Sequence, residues 1–286
     1  MEKVSLATQP AGLIAAGSIS NSWMVRWRSL RRWLGPVLSF DTRVSTRATS
    51  ILRAGRPAED FQAFQHVRMV LISVPDERLD ETLDGLLAQP IDWPNVNVVL
   101  CDSERDVRAL ERLTALGAAT ATVCQFHEMD VERLLAEGHS RALAMMRRFL
   151  EGSTLRLYEV DPGAKPLYLA AMNMLGLSFP VLAASIELMR RAGFSNEMAI
   201  GLAERTVHRT TRSAKSGKKG FSGHLARGRR AALEPHLRAL ESVNPQLKEF
   251  YVESSFQALQ LLSVNRQLME ELREMRQPLA LVASVG

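Results

Sequence analysis

The sequence predicts an α/β domain built on a parallel sheet, followed by an all-helical domain. Three observations carry this expectation. Short β-rich runs alternate with helical patterns through residues 1–160. From about Asp161 no strand-like run follows, whereas four helical stretches do. The chain has 286 residues, 46% hydrophobic and 23% charged, which is the composition of a globular protein long enough for two domains.

The β-rich runs are Gly12–Ala16, Val37–Asp41, Met69–Val74, Val96–Cys101, Ala121–Phe126 and Leu155–Val160. Between them lie the helical patterns Ser20–Leu34, Arg43–Leu52, Glu77–Leu87, Arg105–Leu116 and Val131–Leu150. Strand and helix in this alternation imply right-handed crossovers and a parallel sheet. Trp23, Trp27, Leu30 and Leu34 fall on one face of the first helical pattern. Such a stripe is expected to pack on the sheet. Aromatics interleaved with Arg26, Arg28, Arg31 and Arg32 are also a nucleic-acid pattern, which is the less favoured reading.

The later helical stretches are Ala164–Ala192, Asn196–Arg212, Arg229–Glu241 and Pro245–Arg276. In the last, Leu247, Tyr251, Ser254, Ala258, Leu261, Asn265, Leu268 and Leu272 repeat at three and four residues along one stripe. Asp161-Pro162-Gly163 is a turn signal. It divides the chain into a dinucleotide-binding α/β domain, 1–160, and a helical domain, 161–286, expected to serve dimerisation or substrate binding.

Two cysteines, Cys101 and Cys124, sit inside apolar runs. They read as buried small hydrophobes in a reducing cytoplasm, and no metal site is expected. The N-terminus does not read as a signal peptide, because Pro10, Gly12 and Gly17 interrupt its apolar stretch. Pro166–Ile186 carries no charge over 21 residues. Its Asn173, Ser178, Pro180 and Ser185 favour a helix buried on most sides, in a core or a homodimer interface, over a membrane span.

The net charge is +5. Residues 1–150 hold 18 basic and 18 acidic groups, so the excess lies beyond them, where 18 basic groups face 13 acidic ones. Eight of those basic groups lie between Arg209 and Arg230, and no acid occurs between Glu204 and Glu234. The segment Ser213–Gly223 (SAKSGKKGFSG) is a glycine–lysine loop that suits a small anionic molecule. Nucleic acid is disfavoured, because no recognition module accompanies the charge.

The first strand runs into Ala15-Ala16-Gly17-Ser18-Ile19-Ser20. This is where a dinucleotide-binding fold carries G-x-G-x-x-G, whose glycines let backbone N–H groups approach a pyrophosphate. Only the middle glycine is kept, and Ala15, Gly17, Ser18 and Ile19 become the candidate phosphate contacts. The second strand ends in Asp41-Thr42-Arg43. An acid there suits a ribose hydroxyl, whereas an arginine suits the 2′-phosphate of NADP. Thr42 and Arg43 favour NADP.

Two further stretches carry a family resemblance. Val70-Leu71-Ile72-Ser73-Val74-Pro75-Asp76 is a buried strand ending in Val-Pro-Asp. Ser222-Gly223-His224-Leu225-Ala226-Arg227-Gly228 is followed by His236-Leu237-Arg238-Ala239-Leu240. With Lys165 and Tyr168, these resemble the Rossmann-like proteins that carry a C-terminal helical domain of uncharacterised function. That family is related to pyrroline-5-carboxylate reductases and deazaflavin-dependent NADP oxidoreductases. The resemblance spans about Gly12 to Leu262. It implies a Rossmann-type parallel sheet, a homodimer through the helical domain, and an NADP cleft lined in part by Val74 and Pro75.

Departures from the family pattern are concentrated at polar positions. Where the family shows His-x-Ser-Gly, this chain has Leu100-Cys101-Asp102-Ser103. For Ser-Leu-His-Pro it has Thr122-Val123-Cys124-Gln125, and for Tyr-His-Ala-Ala it has Tyr168-Leu169-Ala170-Ala171. An Arg-Gly-Asp has become Arg227-Gly228-Arg229. Three histidines and one aspartate are thereby replaced. Cys124 is the one replacement able to titrate near neutrality, and His127 is a candidate substitute. Two function classes follow. One is an NADP-dependent reductase of a small anionic substrate, with Lys165 and Tyr168 polarising a carbonyl or imine. The other is a non-catalytic scaffold or ligand sensor on the same fold.

Overall fold

The computed structural model describes residues 11–16, 19, 22–127, 130–215, 217, 224–228 and 230–275. The chain divides into two compact units, Met1–Leu177 and Ser178–Gly286.

Eight strands make up the sheet of the first unit. They are β1 (Ala11–Ala15), β2 (Leu34–Leu38), β3 (Arg56–Pro57), β4 (Met69–Ser73), β5 (Asn97–Cys101), β6 (Ala119–His127), β7 (Asp130–Gly138) and β8 (Arg156–Glu159). The order is β3-β2-β1-β4-β5-β6-β7-β8. Every neighbouring pair is parallel except β6 with β7. The helices of this unit are α1 (Thr42–Leu52), α2 (Leu79–Leu87), α3 (Glu111–Thr114), α4 (Ser140–Leu150) and α5 (Lys165–Gly176). The chain leaves the sheet centre in both directions, from β1 to β2 and later from β1's other side to β4. This is the doubly wound arrangement that the alternating pattern predicts.

The sheet is covered on both faces. One core cluster joins Leu13, Leu71 and Val99 to Trp23, Trp27 and Phe149. The other joins Ile14, Ile72 and Leu100 to Phe64, Leu83 and Leu113. Burial on both faces explains the near-continuous apolar runs of the strands. Gly12 keeps one of these contacts close, since an added Cβ would stand 2.6 Å from the Phe64 ring.

Three expected helices of this unit take other forms. Ser20–Leu34 does not form one helix: its described part contains two 3-10 turns, Trp23–Arg26 and Arg28–Arg32, and β2 already begins at Leu34. The apolar stripe still packs on the sheet as expected, with Trp23 and Leu34 wholly buried. Trp27 Nε1 donates to Phe149 O at 2.9 Å, which fixes the turn against α4. The second exception is Val131–Leu150, which is strand β7 followed by α4. Leu134, Leu135 and Ala136 are buried together, so no alternation marks the strand. Gly138 is the residue that separates strand from helix. Its φ is +140°, and an added Cβ would meet Thr120 O at 2.4 Å. Arg105–Leu116 contracts to a 3-10 turn at Val107–Leu110, capped by Asp106, and then α3.

The second unit contains α6 (Ser178–Arg191), α7 (Asn196–Ala214), α8 (His224–Arg227), α9 (Arg230–Val243), α10 (Pro245–Leu262) and α11 (Arg266–Met275). Ser195 caps α7 and Asn244 caps α10, each accepting a backbone N–H. Leu233, Leu237, Phe256, Leu259, Leu268 and Leu272 form its core. The expected single helix Pro245–Arg276 is broken at Ser263 and Asn265, both with positive φ, 51° and 46°. Asn265 Nδ2 binds the carbonyls of Leu225 and Gly228, so the break carries its own hydrogen bonds. The stripe along the sequence therefore continues across two helices.

The apolar stretch Pro166–Ile186 is not buried within the chain. Lys165–Arg191 is long and apolar enough to cross a membrane, and none of its most apolar part is covered. Leu167 on α5 is 74% exposed and Phe179 on α6 is 75% exposed. Of the two expected settings, a core or a homodimer interface, burial in the chain's own core does not occur. The two compact units divide at Leu177–Ser178, which places α5 in the unit that holds the sheet.

Candidate active site

The strands β1, β4 and β5 end side by side. Ala15 pairs with Ser73, and Ala16 N donates to Ser73 O at 3.0 Å. The order reverses between β1 and β4, and in open α/β sheets ligands bind in the crevice outside such a switch point. Asp102 follows β5 directly. Its φ of 59° turns the chain sharply, a conformation that aspartate tolerates better than most residues. Asp102 N donates to Val123 O, and Asp102 Oδ2 accepts from Ser22 Oγ at 2.6 Å and from Ser73 Oγ at 3.4 Å. The carboxyl thus ties the ends of β4 and β5 to the turn Trp23–Arg26 that follows β1. Asp102 is open to solvent, yet desolvation by surrounding protein raises its pKa above the ordinary aspartate value. The Ser22 and Ser73 hydroxyls and the charge of Lys165 act the other way.

Behind the crevice a buried polar pair joins four segments. Glu137 on β7 is fully buried. Its Oε1 accepts from Val107 N at 2.8 Å, and its Oε2 accepts from Gly163 N at 2.9 Å and Lys165 N at 3.0 Å. Lys165, also fully buried, donates from Nζ to Ser103 O at 2.6 Å, Arg105 O at 2.9 Å and Thr122 Oγ1 at 3.2 Å. All three protons of the ammonium are used. Ser103 Oγ in turn donates to Asp76 Oδ1 at 2.9 Å, and Asp76 pairs with Arg105. The aspartate of Val-Pro-Asp therefore ties the loop after β4 to the loop after β5.

Tyr168, one turn along α5, donates its hydroxyl to Phe126 O at the end of β6, with the two rings 4.9 Å apart. Burial, and then the neighbouring Cys124, raise its pKa, so the hydroxyl stays a proton donor. Cys101 and Cys124 are buried and unpaired with each other, as expected, and burial raises both thiols. Cys124 is a poor thiolate in this setting.

The candidate cofactor residues divide into three groups. Thr42 and Arg43 are exposed on the first turn of α1, held by Asp41 Oδ1, which accepts from Arg43 N at 2.8 Å. Pro75 is exposed after β4, and Val74 beside it is buried. Ala15 is buried at the end of β1, and Ile19 points into the core with 4% exposure. Gly17 and Ser18 lie outside the described residues, as do Ser20, Asn21, Lys218 and Lys219. The His127 side chain is likewise not described. Of the basic run, Arg212 contacts His208 and Arg230 pairs with Glu234.

One feature of the site was not singled out from sequence. Arg78, after β4, lies over the ring of Phe40, after β2, at 4.5 Å from the ring centroid. The pair forms a flat wall between these two strand ends. Phe40 at 37% exposure immediately beyond an apolar strand was the legible signal. At the opposite, N-terminal ends of β4 and β5, a pocket of about 530 Å³ is lined by His66, Arg68, Asp92 and Arg141. Arg141 is spent there on the carbonyls of Pro94 and Val96.

Residues 133–258 match the model of the family described as Domain of unknown function (DUF2520). The match runs from β7 into α10 and contains Glu137, Lys165 and Tyr168. No curated protein matches the sequence. Among solved structures, an imine reductase from Myxococcus stipitatus in complex with NADP+ is similar at 14% identity and a TM-score of 0.62, over 92% of this chain and 99% of that one. An imine reductase from Pseudomonas is similar at 16% identity and a TM-score of 0.59, over 93% and 99%. A reductive aminase from Aspergillus terreus in complex with NADPH and ethyl levulinate is similar at 15% identity and a TM-score of 0.54, over 94% and 92%. At these identities the likeness is one of fold, a Rossmann-type sheet followed by helices, as the sequence resemblance implied.

Proposed function

We propose that the chain is an NADP(H)-binding protein of the cytoplasm and a reductase of a small molecule bearing a C=N or C=O group. The observation that carries the reading is the reversal of strand order between β1 and β4, with Thr42 and Arg43 exposed after β2 and Pro75 exposed after β4. Arg43 would hold the 2′-phosphate, and the Phe40–Arg78 wall offers a planar surface for adenine. NADPH, when bound, supplies the hydride, and the protein supplies position and charge. Tyr168 holds its proton at Oη, three residues beyond the anchoring Lys165, and is the candidate donor to a reduced nitrogen or oxygen. The imine reductases and the reductive aminase of like fold support this substrate class, and the basic run Arg209–Arg230 supports a small anionic substrate.

The test is a titration with NADPH and with NADH, followed by nicotinamide fluorescence and by the thermal midpoint. A ligand that binds only the folded state raises that midpoint by mass action. NADPH should bind about tenfold or more tightly than NADH, a preference worth roughly 1.4 kcal/mol, and Arg43→Ala should remove it. No shift at millimolar concentrations of either would defeat the reading.

One observation favours the second reading, a non-catalytic ligand sensor. Lys165 has no proton left for a substrate. Turnover that depends on Tyr168 would exclude that alternative.

The exposed apolar residues support a homodimer, as the family resemblance does. They are Leu167, Met174 and Leu175 on α5, and Phe179, Met198 and Ile200 on α6 and α7. Large apolar side chains exposed in this way mark an interface. Light scattering should give the mass of two chains at micromolar concentration. Phe179→Glu with Leu175→Glu should give one, with the helical content retained.

A further inference from the structure

We propose that dinucleotide binding in the crevice is coupled to the uptake of one proton by Asp102. The inference rests on the cofactor reading above and adds a regulation to it. The geometry is that of an internal anion standing where an external one must come. Asp102 Oδ2 lies 2.6 Å from Ser22 Oγ, at the start of the turn Trp23–Arg26 that follows β1, and 3.4 Å from Ser73 Oγ at the end of β4. That crevice is the place where this fold receives the pyrophosphate of a dinucleotide. A carboxylate and a pyrophosphate in one concavity repel, and the repulsion is greater there than in bulk water. Protonation removes the conflict and turns Asp102 into a donor toward phosphate oxygen.

The groups around Asp102 leave it as the one poised to titrate. Lys165 on α5 is positive and fully engaged. The thiols of Cys101 on β5 and Cys124 on β6 are held neutral by burial. Asp76 after β4 and Arg105 after β5 pair at 3.4 Å. Glu104 lies two residues beyond Asp102, and Glu137 on β7 accepts three backbone N–H groups. Desolvation already raises the Asp102 carboxyl in the free protein. A bound polyanion raises it further. Binding therefore takes up a proton between the free and the bound pKa, and affinity falls as pH rises through that window.

The experiment compares the full chain with Asp102→Asn. Asparagine tolerates the positive φ and still accepts from Ser22, so the fold is preserved. NADPH affinity is measured from pH 8 downward through the range in which Asp102 titrates, and proton uptake is measured by titration calorimetry in buffers of different ionisation enthalpy. The NADPH 2′-phosphate also titrates, so the quantity read is the difference between the two proteins. The wild-type Kd should rise by up to about tenfold per pH unit relative to the variant, with one extra proton taken up. Asp102→Asn should bind more tightly at pH 8. Equal uptake and parallel profiles would overturn the coupling and leave the cofactor reading intact. No NADPH binding by either protein would overturn both.

Discussion

Glu137→Ala should destabilise the sheet unit by about 3–5 kcal/mol. Three backbone N–H groups, of Val107, Gly163 and Lys165, lose their acceptor at once. Each unsatisfied donor costs about 1–3 kcal/mol, with the lower figure for those that water can reach. For a domain of this size, about 2–4 °C of thermal midpoint is lost per kcal/mol, so a fall of roughly 6–20 °C is expected. Glu137→Gln should lie between, because its amide oxygen can serve one side of the cluster while its NH2 group opposes donors on the other. Chemical denaturation checks both values. A loss below about 1 kcal/mol for Glu137→Ala would mean that water replaces the carboxyl at little cost.

Much of this architecture was legible in the sequence, and the exceptions have physical causes. The buried strands β1, β4 and β5 declare themselves because both faces are covered, so each is an unbroken apolar run. Strand β7 was hidden for the same reason. Val131–Gly138 mixes Leu, Ala, Glu and Arg, all good helix formers, and burial on two faces erases the period-2 signal. Tertiary pairing with β6 and β8 decides its conformation, and Gly138 was its one local mark. The turns at Trp23–Arg32 show the converse. Their apolar spacing reported correctly which side chains are buried, but not which helix type carries them. The exposed face of α5 and α6 follows the same logic. Apolar composition announces that a surface must be covered and does not say by what.

The site was legible in outline. Asp41-Thr42-Arg43 and Val-Pro-Asp were found as motifs, and both lie at strand ends that border the crevice. Asp102 entered only as a departure from a family pattern, because a single aspartate after an apolar strand has no spacing to recommend it. Its place emerges from three segments, ending at residues 22, 73 and 102, that only the sheet brings together. Glu137 could not be recognised while its segment Val131–Leu150 read as a helix. Phe40 and Arg78 are 38 residues apart and meet through the β2–β1–β4 order.

Lys165→Met should separate structure from chemistry at the residue where sequence reasoning expected catalysis. Methionine fills a similar volume but withdraws three donors from Ser103 O, Arg105 O and Thr122 Oγ1. Hydrogen bonds from a charged donor contribute about 1.5–3 kcal/mol each, offset by the cost of burying the ammonium, so a net loss of roughly 2–4 kcal/mol is expected. The loops that carry Asp102 and Arg105 are what the ammonium holds, which makes Lys165 a positioning residue for the crevice. A second readout follows from charge. Lys165 lowers the Asp102 pKa. Without it, the Asp102 carboxyl should rise further, and NADPH affinity should begin to fall at a higher pH than in the wild type. The two variants Glu137→Ala and Lys165→Met should also combine to less than their sum, since they break the same junction. The opposite pattern would be a Lys165→Met protein of wild-type stability and unchanged NADPH profile that has lost turnover. That result would return Lys165 to a catalytic role, and would require its side chain to leave the two carbonyls when substrate binds.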